Sequence, residues 1–441
     1  MLENLFKLKE NGTDVKTEVV AGFTTFMTMA YIIIVNPNIL SAAGMPFNGV
    51  FIATIAGIIL GTLAMAFLTN YPFALASGMG LNAFFAFYVC GALGVSWQIA
   101  LGLIFIEGIL FIILSILPVR EMIVNSIPMG LKSGISAGIG LFIAFIGLQG
   151  AGIIISDEAT LIALTPNLLS GAALVAVIGL VITGILMARG VKGSIFIGII
   201  LTTVIAWILT ARGLIEGVVD IGAAGIFELP SVSDWAEIFG QLDIAGAFNI
   251  SFIGILLTFL FVDMFDTAGT LIGVSQQAGY LDDEGNLPKA SKALLADAIG
   301  TTGGALFGTS TVTTYVESAS GVADGGRTGL TGVVVSILFF LSLFFLPLVK
   351  MIPGAATAPA LIIVGTMMIS NITKIDWDDF TEVLPAFMTM IIMPLAYSIS
   401  DGIAFGFITY PLIKLFTGKG KEVHWLVYVL GIVFLAYFIW L

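Results

Sequence analysis

The sequence predicts an all-α polytopic membrane protein of fourteen transmembrane segments in two inverted repeats of seven. Short β-strand and half-helix pieces are expected at spans 3 and 10, and an extra apolar helix at the C-terminus. Three observations predict this. The 441 residues are 59% apolar and only 10% charged, whereas a soluble domain carries about a quarter charged residues. Apolar runs of membrane-spanning length recur along the whole chain. The third run of each half is interrupted, at matching places, by sequence that suits neither a continuous helix nor a loop.

Taken in order, the first seven spans read as 19–38, 49–69, 72–91, 97–117, 129–150, 168–188 and 193–211. An acidic loop follows at 212–247, carrying Glu216, Asp220, Glu228, Asp234, Glu237 and Asp243. The second seven read as 248–277, 291–308, 309–323, 328–349, 355–372, 380–398 and 401–417. A last apolar stretch, 423–441, either crosses the membrane or lies along it. The 52 glycines suit close helix packing in lipid, where small residues let backbones approach. The N-terminus MLENLFKLKENGTDVKTEVV has no cleavable apolar region, so the first membrane helix is expected to do the targeting.

Positive charge predicts orientation. With the N-terminus inside, Lys7, Lys9, Lys16, Arg120, Lys132, Arg189, Lys192, Lys289, Lys292, Arg327, Lys374, Lys414, Lys419 and Lys421 all fall on the cytoplasmic side. Arg212 and Lys350 fall outside. The net charge of −12 sits mostly in loops and argues against nucleic acid or anionic lipid as a partner. A lone cysteine, Cys90, excludes an intramolecular disulfide. A lone histidine, His424, leaves no histidine-based metal centre or catalytic triad.

The interrupted third runs are the best pointer to function. YPFALASGMGLNAFFAFYVC starts with Pro72 and carries Gly78 and Gly80 before its helical part; GTSTVTTYVESASGVADGG starts with a Thr- and Val-rich run. Seven spans per half is odd, so the second half enters from the opposite side. Paired broken segments at matching positions mark the midplane site of a secondary transporter. Four acids gather near the second one: Asp263, Asp266, Asp297 and Glu317. A carboxylate at bilayer depth costs at least a few kcal/mol, about 2.5–3.5 on insertion scales, so their presence points to a substrate and proton site.

Each acid is read from its setting. Asp263 and Asp266, three apart, share a helix face, and two carboxylates that close in low dielectric do not both ionise easily. One is therefore expected to carry a proton. Glu317 is expected in the first turn of a half-helix, where unpaired backbone N–H groups favour an ionised carboxylate able to accept ring N–H donors. Asn82, two residues after Gly80, is expected opposite it, with a donor and an acceptor for the edge of a heterocycle. Asp297 belongs either to the proton path or to a clamp on the half-helix through Ser or Thr groups. Glu107, alone in span four, reads as an interhelical structural bond, and Tyr315 as a stacking or core ring.

Over nearly its whole length the chain resembles the nucleobase–cation symporters, in the azaguanine-type branch of adenine, guanine and hypoxanthine permeases. The stretches that carry this are AGFTTFMTMAYIIIVNP, ASGMGLNAFFAF, FVDMFDTAGTLIGV and GTSTVTTYVESASGV with its flank ADGGRTGLT. The resemblance implies proton-coupled purine uptake with no resident cofactor, the proton being co-transported. It implies a cytoplasmic segment 1–18, a core domain of 19–127 and 248–350, and a gate domain of 128–211 and 351–417. The loop 212–247 would be extracellular, and 418–441 lies beyond the shared plan. Asn82, Asp263 and Glu317 match base-binding positions, and the main chain near Met79 and at Val316 matches backbone contacts. Asp266 matches a transport position and Asp297 a coupling position. The Gln/Glu-Asn-x-Gly signature of the xanthine and uracil branches is absent, since Ser318, Ala319, Ser320 and Gly321 follow Glu317. The purine nucleobase and the lipid bilayer are thus the expected partners, with a homodimer through the gate domain by analogy. The rival readings are an anion transporter of the same architecture and an intramembrane aspartyl hydrolase. Crowded acids oppose the first, and two aspartates on one helix suit the second poorly.

Overall fold

A computed structural model of the chain describes residues 2–116, 126–216, 218–219, 225, 227–282 and 287–440. Arg120 and Asp220, read above as loop charges, lie outside the described residues. Among those described, ten helices are long and apolar enough to cross a membrane. The chain is therefore a mostly helical, multi-pass membrane protein.

The first of these helices is broken. Val15–Met29 begins at Asp14, whose carboxylate accepts from Thr17 N at 2.8 Å; the helix ends at Ala30–Tyr31, and Ile32–Ser41 continues the crossing. Phe47–Thr69 ends at Asn70, which adopts a left-handed conformation (φ 63°). That geometry lets the Asn70 side chain bridge two segments, donating to Phe6 O at 2.8 Å and accepting from Gly329 N at 3.0 Å.

The two interrupted segments meet. Leu75–Ser77 (β1) pairs antiparallel with Val312–Thr314, with Leu75 opposite Thr314 and Ser77 opposite Val312. The chain then turns into the half-helices Met79–Ala83 and Ser318–Ala323, and the first continues as a wider π-helical segment, Phe84–Ala92. Space for the strands comes from glycine. A Cβ at Gly57 or Gly61 would lie 3.1 Å from the Val312 side chain, as would one at Gly300 on the helix Ala290–Phe307. All three small residues let helices close around a buried strand.

Two elements lie outside the repeated spans. Residues 151–167, left between the spans 129–150 and 168–188 by the sequence reading, hold a hairpin of Ile154–Asp157 (β2) and Leu161–Leu164 (β3). Its turn is built by Asp157, whose carboxylate accepts from Ala159 N and Thr160 N at 2.9 and 2.8 Å. These are Asx-turn bonds, a local signal that an apolarity reading passes over. The C-terminal helix Trp425–Trp440 packs antiparallel on Ile399–Phe416: Phe434 stacks on Phe407 at 5.5 Å and Phe438 meets Phe405 at 5.6 Å.

Polar contacts gather at two opposite ends of the bundle. At one, buried Glu18 accepts from Arg327 N, Thr328 N and Thr331 N at 2.8, 3.3 and 3.2 Å and from the Thr331 hydroxyl at 2.6 Å. Lys289 donates to Thr69 O there at 2.7 Å, and Lys192 pairs with Asp324. At the other end the segment after 227 straps the helix tips. Asn48 donates to Asp234 at 2.7 Å, Trp235 Nε1 to Phe307 O at 3.0 Å, and Asp243 N to Gln98 O at 2.8 Å.

Between Met129–Gly150 and Gly354–Ile369 the closest approach is glycine on glycine, and a Cβ at Gly140 would lie 2.6 Å from Gly365 O. Gly365→Ala should push these helices apart and cost about 1–3 kcal/mol, read as a lowered unfolding temperature in detergent. Gly184→Ala, where a Cβ meets nothing within 4 Å, should leave that temperature unchanged or slightly raised.

Candidate functional site

The half-helices and the broken first helix enclose a cavity beside the strand crossing. Its wall carries Tyr31, Gly78, Met79, Gly80, Asp266, Tyr315, Val316 and Glu317, and Ile139, Val364 and Met368 close it from the opposite side. A second, larger furrow between Phe47–Thr69 and Phe340 has apolar lining and no titratable group. The chemistry therefore lies at the crossing.

Every residue of the extended run 309–315 has a polar partner outside the run, Val312 through its carbonyl, which accepts from the Thr301 hydroxyl at 2.9 Å. Thr309 accepts from Asn36 Nδ2 at 3.0 Å and lies 2.9 Å from the Ser77 hydroxyl. The Ser310 hydroxyl donates to Asn82 Oδ1, and Thr311 donates to Glu107 at 3.3 Å. Thr313 shares a hydrogen bond with Thr267 at 2.6 Å; Thr314 N donates to Asp297 at 3.1 Å; Tyr315 OH donates to Ser77 O at 2.7 Å. This answers where the polar groups of a run with so many hydroxyls go inside a membrane protein.

The four acids sit in three environments. Asp263 and Asp297 are fully buried around one hydroxyl: Thr267 Oγ1 lies 3.3 Å from Asp263 Oδ1 and 3.0 Å from each oxygen of Asp297. Glu317 lines the cavity and accepts from Tyr31 OH at 2.7 Å. Asp266 also lines the cavity, near Gly78, and makes no hydrogen bond to another described residue. Its acidic neighbours are Asp297 and Glu317.

The residues singled out by sequence are thus brought together, but in two layers. Met79, Asp266, Val316 and Glu317 form wall, whereas Asn82, Asp263 and Asp297 stand behind it. The helix Ile253–Ala278 aims Asp266 at the cavity and leaves Asp263 to Thr267, so the two do not act as a mutual pair. Asn82 does not face Glu317 across the cavity; its carbonyl is taken by Ser310 because the half-helix turns it toward the strand. Glu317 itself stands just before Ser318–Ala323 rather than inside its first turn. Glu107 makes the interhelical bond expected of it, through Thr311. Tyr31, Thr267 and Asn36 were not singled out. Thr267 is four residues from Asp263, the spacing that stacks side chains on a helix, and that was the available signal.

No lysine, arginine or histidine lines this cavity among the described residues, and none of their acids clusters as a metal centre. The wall offers carboxylates, backbone and two tyrosines, a set that receives an uncharged donor-bearing ligand better than an anion.

The antiparallel strand pair with its half-helices, set in a multi-pass helical bundle, is a fold that solved membrane transporters share. The transmembrane domain of a cyanobacterium bicarbonate transporter, BicA, superposes with a TM-score of 0.65 at 18% identity, over 88% of this chain and 96% of that one. SLC26A9 superposes with a TM-score of 0.60 at 12% identity, over 91% of this chain and 66% of that one. At these identities the likeness shows the fold alone.

Sequence supplies the family. The chain belongs to the Permease family, whose model matches residues 16–405. It is 54% identical over 440 residues to a putative permease of Methanocaldococcus jannaschii, covering 100% of this chain and 98% of that protein. It is 46% identical to the guanine/hypoxanthine permease PbuG of Bacillus subtilis, over 100% of both. It is 43% identical to the adenine permease AdeP of Escherichia coli K12, over 99% of this chain and 95% of that protein. The chain is a transporter rather than an enzyme, and the hydrolase reading falls.

Thr267→Val should leave Asp263 and Asp297 without their shared hydroxyl and lower stability by about 1–3 kcal/mol, measured by thermal unfolding. Thr409→Val, on an exposed helix face, should be close to neutral.

Proposed function

We propose that this chain takes up purine nucleobases, guanine or hypoxanthine and adenine among them, with protons across the cytoplasmic membrane by alternating access. The observation that carries the reading is the cavity wall: two carboxylates, Glu317 and Asp266, with no cationic side chain beside them. Full-length relatives named for adenine and for guanine/hypoxanthine support it. An anion would meet repulsion at the same wall, which disfavours the alternative of a sulfate- or carboxylate-type anion transporter.

In this mechanism Glu317, held by Tyr31, accepts a ring N–H of the base, and the main chain at Met79 and Val316 meets the rest of its edge. Asp266, the wall carboxylate with no partner among the described residues, takes up and releases the proton. Asn82 and Asp263 act from behind, Asn82 by fixing Ser310 and Asp263 through Thr267. Asp297 serves coupling by linking Thr267 to the backbone of the strand at Thr314. Protonation of Asp266 removes a negative charge facing Glu317 and Asp297, and so biases movement of the core against the gate.

The fourteen-span count belongs to the same reading. It adds to the ten long helices the two broken segments, the more polar Ala290–Phe307 and the shorter Phe380–Leu395. Clustering of Lys192, Lys289 and Arg327 at the end that holds the N-terminal segment supports an inside N-terminus. The core of 19–127 and 248–350, the gate of 128–211 and 351–417, and a gate-mediated homodimer rest on the resemblance.

Uptake of radiolabelled guanine, hypoxanthine and adenine into proteoliposomes tests this. Glu317→Ala should lose at least about tenfold in affinity, the scale of one hydrogen bond to a charged group. Asp266→Asn should still bind base but lose the stimulation given by an acid exterior. Unimpaired transport by both variants would reject the mechanism.

A further inference from the structure

We propose that Tyr31 is a positioning residue that sets which purines the cavity prefers, by occupying one of the two oxygens of Glu317. This rests on the nucleobase reading above. Tyr31 sits at the break in the first membrane helix, 1% exposed, with its hydroxyl donating to Glu317 Oε1 at 2.7 Å. No other side chain bonds Glu317 among the described residues, only its own amide, and Glu317 lines the cavity.

The break holds the tyrosine from both sides. Just before it, the carbonyl of Met27 closes on Gly193, where a Cβ would lie 2.9 Å away. Just after it, Asn36 donates to Thr54 at 2.7 Å and to Thr309 at 3.0 Å, tying Ile32–Ser41 to the segment that leads into Glu317. With the chain anchored on either side of Tyr31, its hydroxyl restrains the Glu317 carboxylate.

The consequence is chemical. An unencumbered carboxylate can accept two parallel N–H donors, the bidentate arrangement that gives the strongest pairing. With Tyr31 on Oε1, one oxygen is left to face a ligand without competition. A purine edge with a single ring N–H, such as that of hypoxanthine, is served fully by it. An edge with a ring N–H beside an exocyclic amino group, such as that of guanine, finds its second acceptor already engaged. Tyr31 thereby holds down the advantage guanine would otherwise have. The wall's other tyrosine, Tyr315, donates to Ser77 O at 2.7 Å and stands beside the Tyr31 hydroxyl without bonding Glu317.

The test is competition binding of guanine and hypoxanthine to the purified full chain, comparing wild type, Tyr31→Phe, Tyr31→Leu and Tyr315→Phe. Removing the Tyr31 hydroxyl should shift the guanine-to-hypoxanthine affinity ratio about tenfold toward guanine, the worth of one charge-assisted hydrogen bond. Tyr31→Leu should shift it the same way, which keeps the test open if one variant folds poorly. Tyr315→Phe, which leaves the bond from Tyr31 to Glu317 in place, should shift the ratio less than Tyr31→Phe does. An unchanged ratio in the Tyr31 variants, or equal loss for both bases, overturns the proposal. Wild-type protein that binds neither base overturns the nucleobase reading instead, before any variant is compared.

Discussion

Two extended stretches lie within a bundle of membrane-spanning helices, and each exposes backbone N–H and C=O groups that a helix would satisfy internally. Left unpaired in hydrocarbon, each such group costs several kcal/mol. Here the stretches satisfy one another: Leu75–Ser77 and Val312–Thr314 pair antiparallel, and Tyr315 N extends the ladder to Ala74 O. That pairing brings residues more than 230 positions apart to the same point. The rest of the site follows from it, because the half-helices that leave the strands are then bound to border one cavity.

The same constraint explains the buried polar chemistry. A strand rich in Thr and Ser brings hydroxyls with it, and these reach outward to Asn36, Asn82, Glu107 and Thr267. Glu317 and Asp266 are left to the cavity, while Asp263 and Asp297 are drawn into the supporting layer. The run 309–315 is thus framework, and the carboxylates of the cavity stand just outside it. Outside the spans the acids behave differently. The Lys419 ammonium and the Thr381 hydroxyl and amide beside Asp379 hold its carboxyl well below the usual carboxylate range. There, charge knits helix ends together rather than meeting a ligand.

The broken first helix gives the cavity its third side. Tyr31 stands at that break and reaches Glu317 across nearly three hundred residues of sequence. A continuous helix through Ala30–Tyr31 would be the default for so apolar a run, and nothing in periodicity announces the interruption. The hairpin at Ile154–Leu164 was likewise not read, because it falls between the assigned spans and its signal is the Asx turn at Asp157.

Composition and run length alone determined that the chain lives in a membrane, because 59% apolar residues in span-sized blocks admit no other solvent. The interrupted third run of each half was also legible, since glycine, proline and β-branched residues are local signals, and so was the gathering of acids nearby. Which acid faces the cavity was not. Asp263 and Asp266 share one helix and nearly one face, and only the position of Thr267 against Thr313 and Asp297 separates them. Tertiary packing likewise withdrew Asn82 behind the wall and put Tyr31 on it. Side-chain chemistry is written residue by residue, but the direction a side chain points depends on what the neighbouring segments leave room for.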